Sequence, residues 1–158
     1  MKYGAIATGS KESLDTAKYI FREGGNAFDA AIGAVFSSMT SEFALTGAGG
    51  GGALLGIKNG KSPILYDFFV DCPLITKKKV DFEKIIVDFG NTKQNFFAGE
   101  GSIAIPGNIA GLLQAHKENG VLPLSIILEP GIHLAKNGVE ISSYQSYINS
   151  LVKPILLL

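Results

Sequence analysis

Five glycines in six residues, Gly47-Ala48-Gly49-Gly50-Gly51-Gly52, constrain this chain more than any other feature. A backbone stripped of Cβ atoms favours no regular element and allows another backbone to approach closely. The flanking sequence therefore sets the plan. Upstream, Ala27-Phe28-Asp29-Ala30-Ala31-Ile32-Gly33-Ala34-Val35-Phe36 is apolar nearly all round, the pattern of a helix buried between other layers. Downstream, Ala53-Leu54-Leu55-Gly56-Ile57 reads as a short strand and Asn59-Gly60 as a hairpin turn. The return strand is Ile64 to Val70, with Pro63 near its start, where proline is tolerated. Buried helix, glycine turn and hairpin together predict an α+β fold, an antiparallel sheet with packed helices.

The remaining elements follow from caps. Ser10 caps a first helix whose apolar face is Leu14, Ala17, Ile20 and Phe21, and Gly24-Gly25 stops it. Asn26 with Asp29 forms a capping box for the buried helix. Residues 74–100 read as irregular, with Lys77-Lys78-Lys79 a solvated run, and Ser102-Ile103-Ala104-Ile105 reads as a strand. Pro106 is expected at the first position of a helix ending at Gly120, with Ile109, Leu112, Leu113 and His116 on one face. The next helical stretch, Leu124 to Lys136, contains Pro130-Gly131, so a break or kink is expected there before Gly138 caps it. Ser142 and Gln145 form another capping box, for a helix reaching about Asn149.

Composition narrows the function classes. The 158 residues are 46% hydrophobic and 18% charged, with fourteen basic and fourteen acidic side chains. That balance offers no basic surface for a phosphate backbone, so no nucleic-acid partner is expected. Cys72 is the single cysteine, which rules out an internal disulfide and a thiolate metal cage. Neither His116 nor His133 has a second ligand at i+4, so no metal is expected, and no cofactor is implied. The start, Met1 to Thr8, lacks a long apolar run, and no stretch has the ~20 apolar residues of a membrane span. With the solitary cysteine, this sets the expectation of a cytoplasmic protein away from membranes.

Four ordered segments resemble the large subunit of gamma-glutamyltranspeptidases. Gly24-Gly25-Asn26-Ala27-Phe28-Asp29-Ala30-Ala31 resembles the family's G-G-N-A-x-D-A-A. Glu42 followed by Gly47 to Gly52 is similar to E-P-x-x-x-G-I-G-G-G-G. Gly101 to Gly107, with Ala110-Gly111-Leu112 behind it, is similar to x-S-x-A-V-P-G-x-x-x-G-L. Pro130-Gly131-Ile132-His133-Leu134-Ala135 with Gly138 is similar to P-A-I-x-L-A-x-x-G. They run in the family's order over nearly the whole chain.

The resemblance implies part of an N-terminal-nucleophile hydrolase, an αββα sandwich made as a self-cleaving precursor. It implies acyl transfer or hydrolysis on a small gamma-glutamyl or acyl-amide substrate such as glutathione. A Thr heading the small subunit attacks the carbonyl and its own amine serves as base. Thr8, Thr16, Thr40, Thr46, Thr76 and Thr92 are the only threonines here, and none sits in that motif. No catalytic residue is therefore expected in this chain, and a complementary C-terminal, small-subunit-like segment is the expected partner. The apolar close Pro154-Ile155-Leu156-Leu157-Leu158 reads as a chain cut within a fold. The expectation is a single partial domain spanning residues 1–158, truncated ahead of the nucleophile.

One departure bears on substrate. The family's D-x-R-E-x-A-P segment supplies an Arg that grips the substrate α-carboxylate. The matching stretch is Asp67-Phe68-Phe69-Val70-Asp71-Cys72-Pro73, so Phe69 stands where the Arg would be. A phenyl ring cannot bind a carboxylate bidentately. A less polar acyl group, or a carboxylate held by another residue, is the natural substrate. The resemblance marks Phe69, Asp67, Glu42, Gly49, Gly50 and Gly51 as substrate-binding positions. Against this stand plainer readings: the glycines let the backbone pass close to a strand, Asp67 ends that strand, and the Pro106-Gly107 turn is structural rather than an anion site. A second reading of the whole chain is a non-catalytic remnant or a small-ligand binding module on the same fold. A third, weaker one is a nucleotide binder using the glycine turn.

Overall fold

The computed structural model describes residues 4–74 and 80–157, the side chain of Leu156 excepted. Met1-Lys2-Tyr3, Thr76, Lys77-Lys78-Lys79 and Leu158 lie outside the described residues. Within the span read as one partial domain, the chain divides into two compact units. The first comprises Met1–Phe69 and Pro106–Glu140; the second comprises Val70–Ile105 and Ile141–Leu158.

The first unit packs four helices and one hairpin. Helix α1 is Lys11–Arg22 and α2 is Ala27–Ser41; α3 is Asn108–Asn119 and α4 is Leu124–Asn137. Ser10 caps α1 by accepting from the Ser13 N–H. Gly24 turns the chain between α1 and α2 at φ +92°, a conformation that L side chains rarely adopt. Asn26 and Asp29 form the expected box at the start of α2, each side chain accepting from the other's backbone N–H at 3.0 Å. Ile20, Ile32, Leu112 and Ile127 form the centre of the core, one from each helix, with Phe28, Ala30 and Ala115 around them. Burying one such aliphatic side chain contributes about 1.5–3 kcal/mol.

Strands β1 (Gly52–Gly56) and β2 (Ile64–Phe68) pair antiparallel, with Gly52 opposite Phe68 and Gly56 opposite Ile64. Leu54, Tyr66 and Phe68 face the helices, while Ala53, Leu55, Leu65 and Asp67 are exposed. Helix α4 continues through Pro130 from Leu124 to Asn137, so the chain does not break there. The proline removes one helical hydrogen bond, but Gly131 is buried against the α2 backbone at Phe36, and Ile127 anchors the turn before it. Pro106 is also not the first helical residue; Gly107 is the N-cap and α3 starts at Asn108.

The second unit corrects the irregular reading of residues 74–100. Strands β3 (Glu83–Asp88) and β4 (Lys93–Ala98) form an antiparallel hairpin with Asp88 opposite Lys93. The turn closes through the Gly90 N–H donating to Asp88 Oδ1 at 2.8 Å. The Phe82 and Phe97 rings stack at 4.6 Å between centroids. Helix α5, Ser143–Leu156, carries the Ser142–Gln145 box, extends past Asn149 through Pro154 and packs on β3, where Val87 is buried. Ser102 to Ile105 is not a strand. A single 3₁₀ turn spans Glu100–Ser102, and only Ile105 pairs, with Asp71.

Candidate functional site

The glycine run meets the start of α3. Gly50 N–H donates to Gly47 O at 3.1 Å, which folds the run into a turn. The Gly50 carbonyl then accepts the N–H groups of Gly107 and Asn108, both at 3.1 Å. Asn108, only 4% exposed, donates from Nδ2 to Gly47 O at 2.7 Å. These donors belong to the set a helix leaves unpaired at its N-terminus. Here a loop carbonyl takes them, which supports a structural turn at Pro106-Gly107 over an anion or nucleotide site.

Phe68 is the centre of this joint. A Cβ on Gly111 would lie 2.2 Å from the Phe68 ring, and one on Gly107 2.1 Å from Phe68 O. A Cβ on Gly52 would come to 3.2 Å from the ring edge. Glycines of the second and third motif blocks thus surround one aromatic ring at the end of β2.

Strand alternation then sends the next side chain the other way. Phe69 is 69% exposed, and Asp67 is exposed with Oδ1 accepting the Phe69 N–H at 3.1 Å. Asp67 therefore shapes the strand end that presents Phe69. The β1–β2 register brings the end of the glycine run and Asp67–Phe69 to one end of the hairpin. Gly52 pairs with Phe68 there, so Gly51 and Phe69 leave the sheet at the same end.

Glu42 lies elsewhere. It is the half-buried residue closing α2, its carbonyl accepting from Leu45 and Thr46 at 2.8 and 3.1 Å. Its carboxylate enters a cleft of about 600 Å³ walled by residues 5–9, α1 and α2. None of Gly49, Gly50, Gly51, Asp67 or Phe69 lines that cleft.

Three networks were not legible as sites in the sequence. Thr16 and Ser37 bond at 2.7 Å in the interior and Ser10 and Ser41 at 3.0 Å in a half-buried position, a hydroxyl seam between α1 and α2. Asp29, fully buried, also accepts the Val121 N–H at 3.1 Å, and His116 Nε2 stands 3.7 Å from it. His116 is further tied to Leu122 O at 3.0 Å, a structural role for the first motif's carboxylate and for this histidine. Third, Tyr66 donates to Glu118 Oε2 at 2.6 Å and accepts from Asn119 Nδ2 at 2.6 Å. The Tyr66 hydrogen bond, helped by Gln114, holds the Glu118 carboxyl below its ordinary pKa, and that same bond raises the Tyr66 phenol. Cys72 is free and exposed. Among the described residues no group of three or more His, Cys, Asp or Glu is placed to hold a metal ion. Among them no helix is long and apolar enough to cross a membrane.

Comparison with known proteins places nearly the whole chain in one family. The family model for gamma-glutamyltranspeptidase matches residues 14–155. The chain belongs to the gamma-glutamyltranspeptidase family. Within that family it is 34% identical over 147 residues to glutathione hydrolase proenzyme 2 of Schizosaccharomyces pombe, covering 88% of this chain and 21% of that protein. It is 30% identical over 143 residues to the glutathione hydrolase proenzyme of Pseudomonas aeruginosa, covering 90% of this chain and 25% of that one. The crystal structure of the Bacillus anthracis transpeptidase CapD aligns at TM-score 0.77 and 25% identity, covering 98% of this chain and 46% of that chain. The chain thus spans a fifth to a quarter of the length of these curated relatives. Its mixture of helices and antiparallel hairpins is part of a fold that CapD shares.

Proposed function

We propose that this chain is the front portion of a gamma-glutamyl-type acyl-transfer or hydrolytic enzyme, completed by a C-terminal segment that bears the nucleophile. The supporting observation is the convergence of the second and third family blocks on Phe68, at the strand end that carries Asp67 and Phe69. In this reading Gly49, Gly50, Gly51, Asp67 and Phe69 form one wall of the acyl site. The complementary segment supplies a Thr hydroxyl that attacks the acyl carbonyl, its amine taking the proton. The substrate is a small acyl amide, and Phe69 offers it an apolar surface in place of a guanidinium. Glu42 joins the wall only if the substrate reaches the α1–α2 cleft. A cytoplasmic location completes the proposal, in keeping with an exposed, unpaired Cys72.

The test is to sequence the source gene beyond the codon for Leu158 and co-express any Thr-led segment found there. Release of p-nitroaniline from γ-glutamyl-p-nitroanilide is then measured for the chain alone and for the pair. Turnover by the pair and none by the chain is expected. Absence of such a segment, or an inactive pair, sinks the enzyme reading.

A further inference from the structure

The cleft at Glu42 has the makings of a ligand site that needs no acyl-transfer chemistry. Its volume, about 600 Å³, lies in the range of small-molecule pockets, roughly 300–1,000 Å³. Its two ends differ. Along α2, Ala27, Ala30 and Ala34 line one wall, faced by Ala17 and Phe21 of α1. The alanines set the width, because any longer side chain there would fill the space. At the other end are Glu42, Ser13, Thr8 and Thr46.

Glu42 is the only ionisable group lining the cleft among the described residues. Its Oε1 receives one long contact, from Ser13 Oγ at 3.5 Å, and no described cation pairs with it. A carboxylate offers about four acceptor positions, so most of its capacity is unused. Gly9 is part of the arrangement: a Cβ there would lie 2.5 Å from Glu42 Oε2, so glycine is what lets the carboxylate rest over this backbone. A half-buried charge at the head of an apolar slot favours a ligand with a matching charge and an apolar body.

We infer that the α1–α2 cleft binds a small organic amine that carries no carboxylate of its own. Its ammonium sits on Glu42 and its hydrocarbon body lies on the alanine wall. A free amino acid fits less well, since its carboxylate would be brought toward Glu42, and a fatty acid is repelled outright.

Hexylammonium tests this directly, against hexanoate and norleucine, using calorimetry and methyl NMR of Ala30 and Ala34 on the 158-residue chain at physiological salt. Saturable hexylammonium binding that shifts both methyls is expected, with hexanoate and norleucine at least about tenfold weaker. That ratio corresponds to about 1.4 kcal/mol. Glu42→Gln should weaken hexylammonium about tenfold with an unchanged melt. Ala31→Phe, at an exposed lining position, should block binding without touching the core. Failure of hexylammonium to bind overturns the inference. So does equal affinity for hexanoate, or a Glu42→Gln chain that binds as well as the parent.

Discussion

Gly111 and Gly49 are both glycines in family motifs, yet their surroundings differ. A Cβ at Gly111 would collide with the Phe68 ring, whereas one at Gly49 would meet nothing within 4 Å. Gly111→Ala should therefore destabilise the chain by about 1–3 kcal/mol through overpacking. Gly49→Ala should stay within about 0.5 kcal/mol. Urea melts of the two variants check this, and equal costs would remove Phe68 as the organising contact. Tyr66 and Glu118 make a pH prediction. The Glu118 carboxyl is depressed from 4.5 by the Tyr66 hydrogen bond, so its contribution is present above pH 4.5 and lost as pH falls through the folded value. The Tyr66 phenol is raised from 10.0 by the same bond, so its contribution is present below pH 10.0 and lost as pH rises through the folded value. Tyr66→Phe should flatten both limbs of the melting temperature against pH while leaving the neutral plateau less affected. Unchanged limbs would show the pair to be energetically silent, as many exposed contacts are.

At the scale of elements, helix boundaries were legible wherever a cap carried the information. Ser10, Asn26 and Ser142 lie at the N-caps of α1, α2 and α5, because a side-chain oxygen bonding a backbone N–H three residues on is local chemistry. Asn26 does more than cap, since its Nδ2 also donates to Asn119 O at 2.7 Å, across to the end of α3. Asn26→Ala should thus cost about 2 kcal/mol, at the upper end of cap losses, while Asn26→Asp keeps the cap and loses only the second bond. Thermal denaturation of both variants distinguishes the roles, and equal losses would refute the dual one. The β3–β4 hairpin escaped notice because Lys93-Gln94-Asn95 opens β4 with three exposed polar residues, erasing the alternation that marks a strand. Residues 102–105 erred in the opposite sense: their apolar alternation suits a strand, but only Ile105 finds a partner. Pro130 was expected to break α4, yet packing of Ile127 and Gly131 against the neighbouring helices outweighs one lost hydrogen bond.

At the scale of the whole molecule, the substrate question rests on Phe69. In the completed enzyme proposed above, Phe69→Arg should restore a fork for a carboxylate. Preference for γ-glutamyl-p-nitroanilide over 4-aminobutyryl-p-nitroanilide, which lacks the α-carboxylate, should then rise about ten- to a hundredfold. The ratio of the two kcat/KM values measures it, and an unchanged ratio would place the α-carboxylate elsewhere.

Sequence alone determined the family, the caps and the first hairpin. Each depends on residue type and short spacing. Tertiary structure decided the rest. It joined the glycine run to α3 through Gly50 and Asn108, turned Asp29 and His116 into structural ties, and set Glu42 in a cleft apart from Asp67 and Phe69. Those outcomes depend on which surfaces meet across tens of residues, and spacing along a chain carries no record of that.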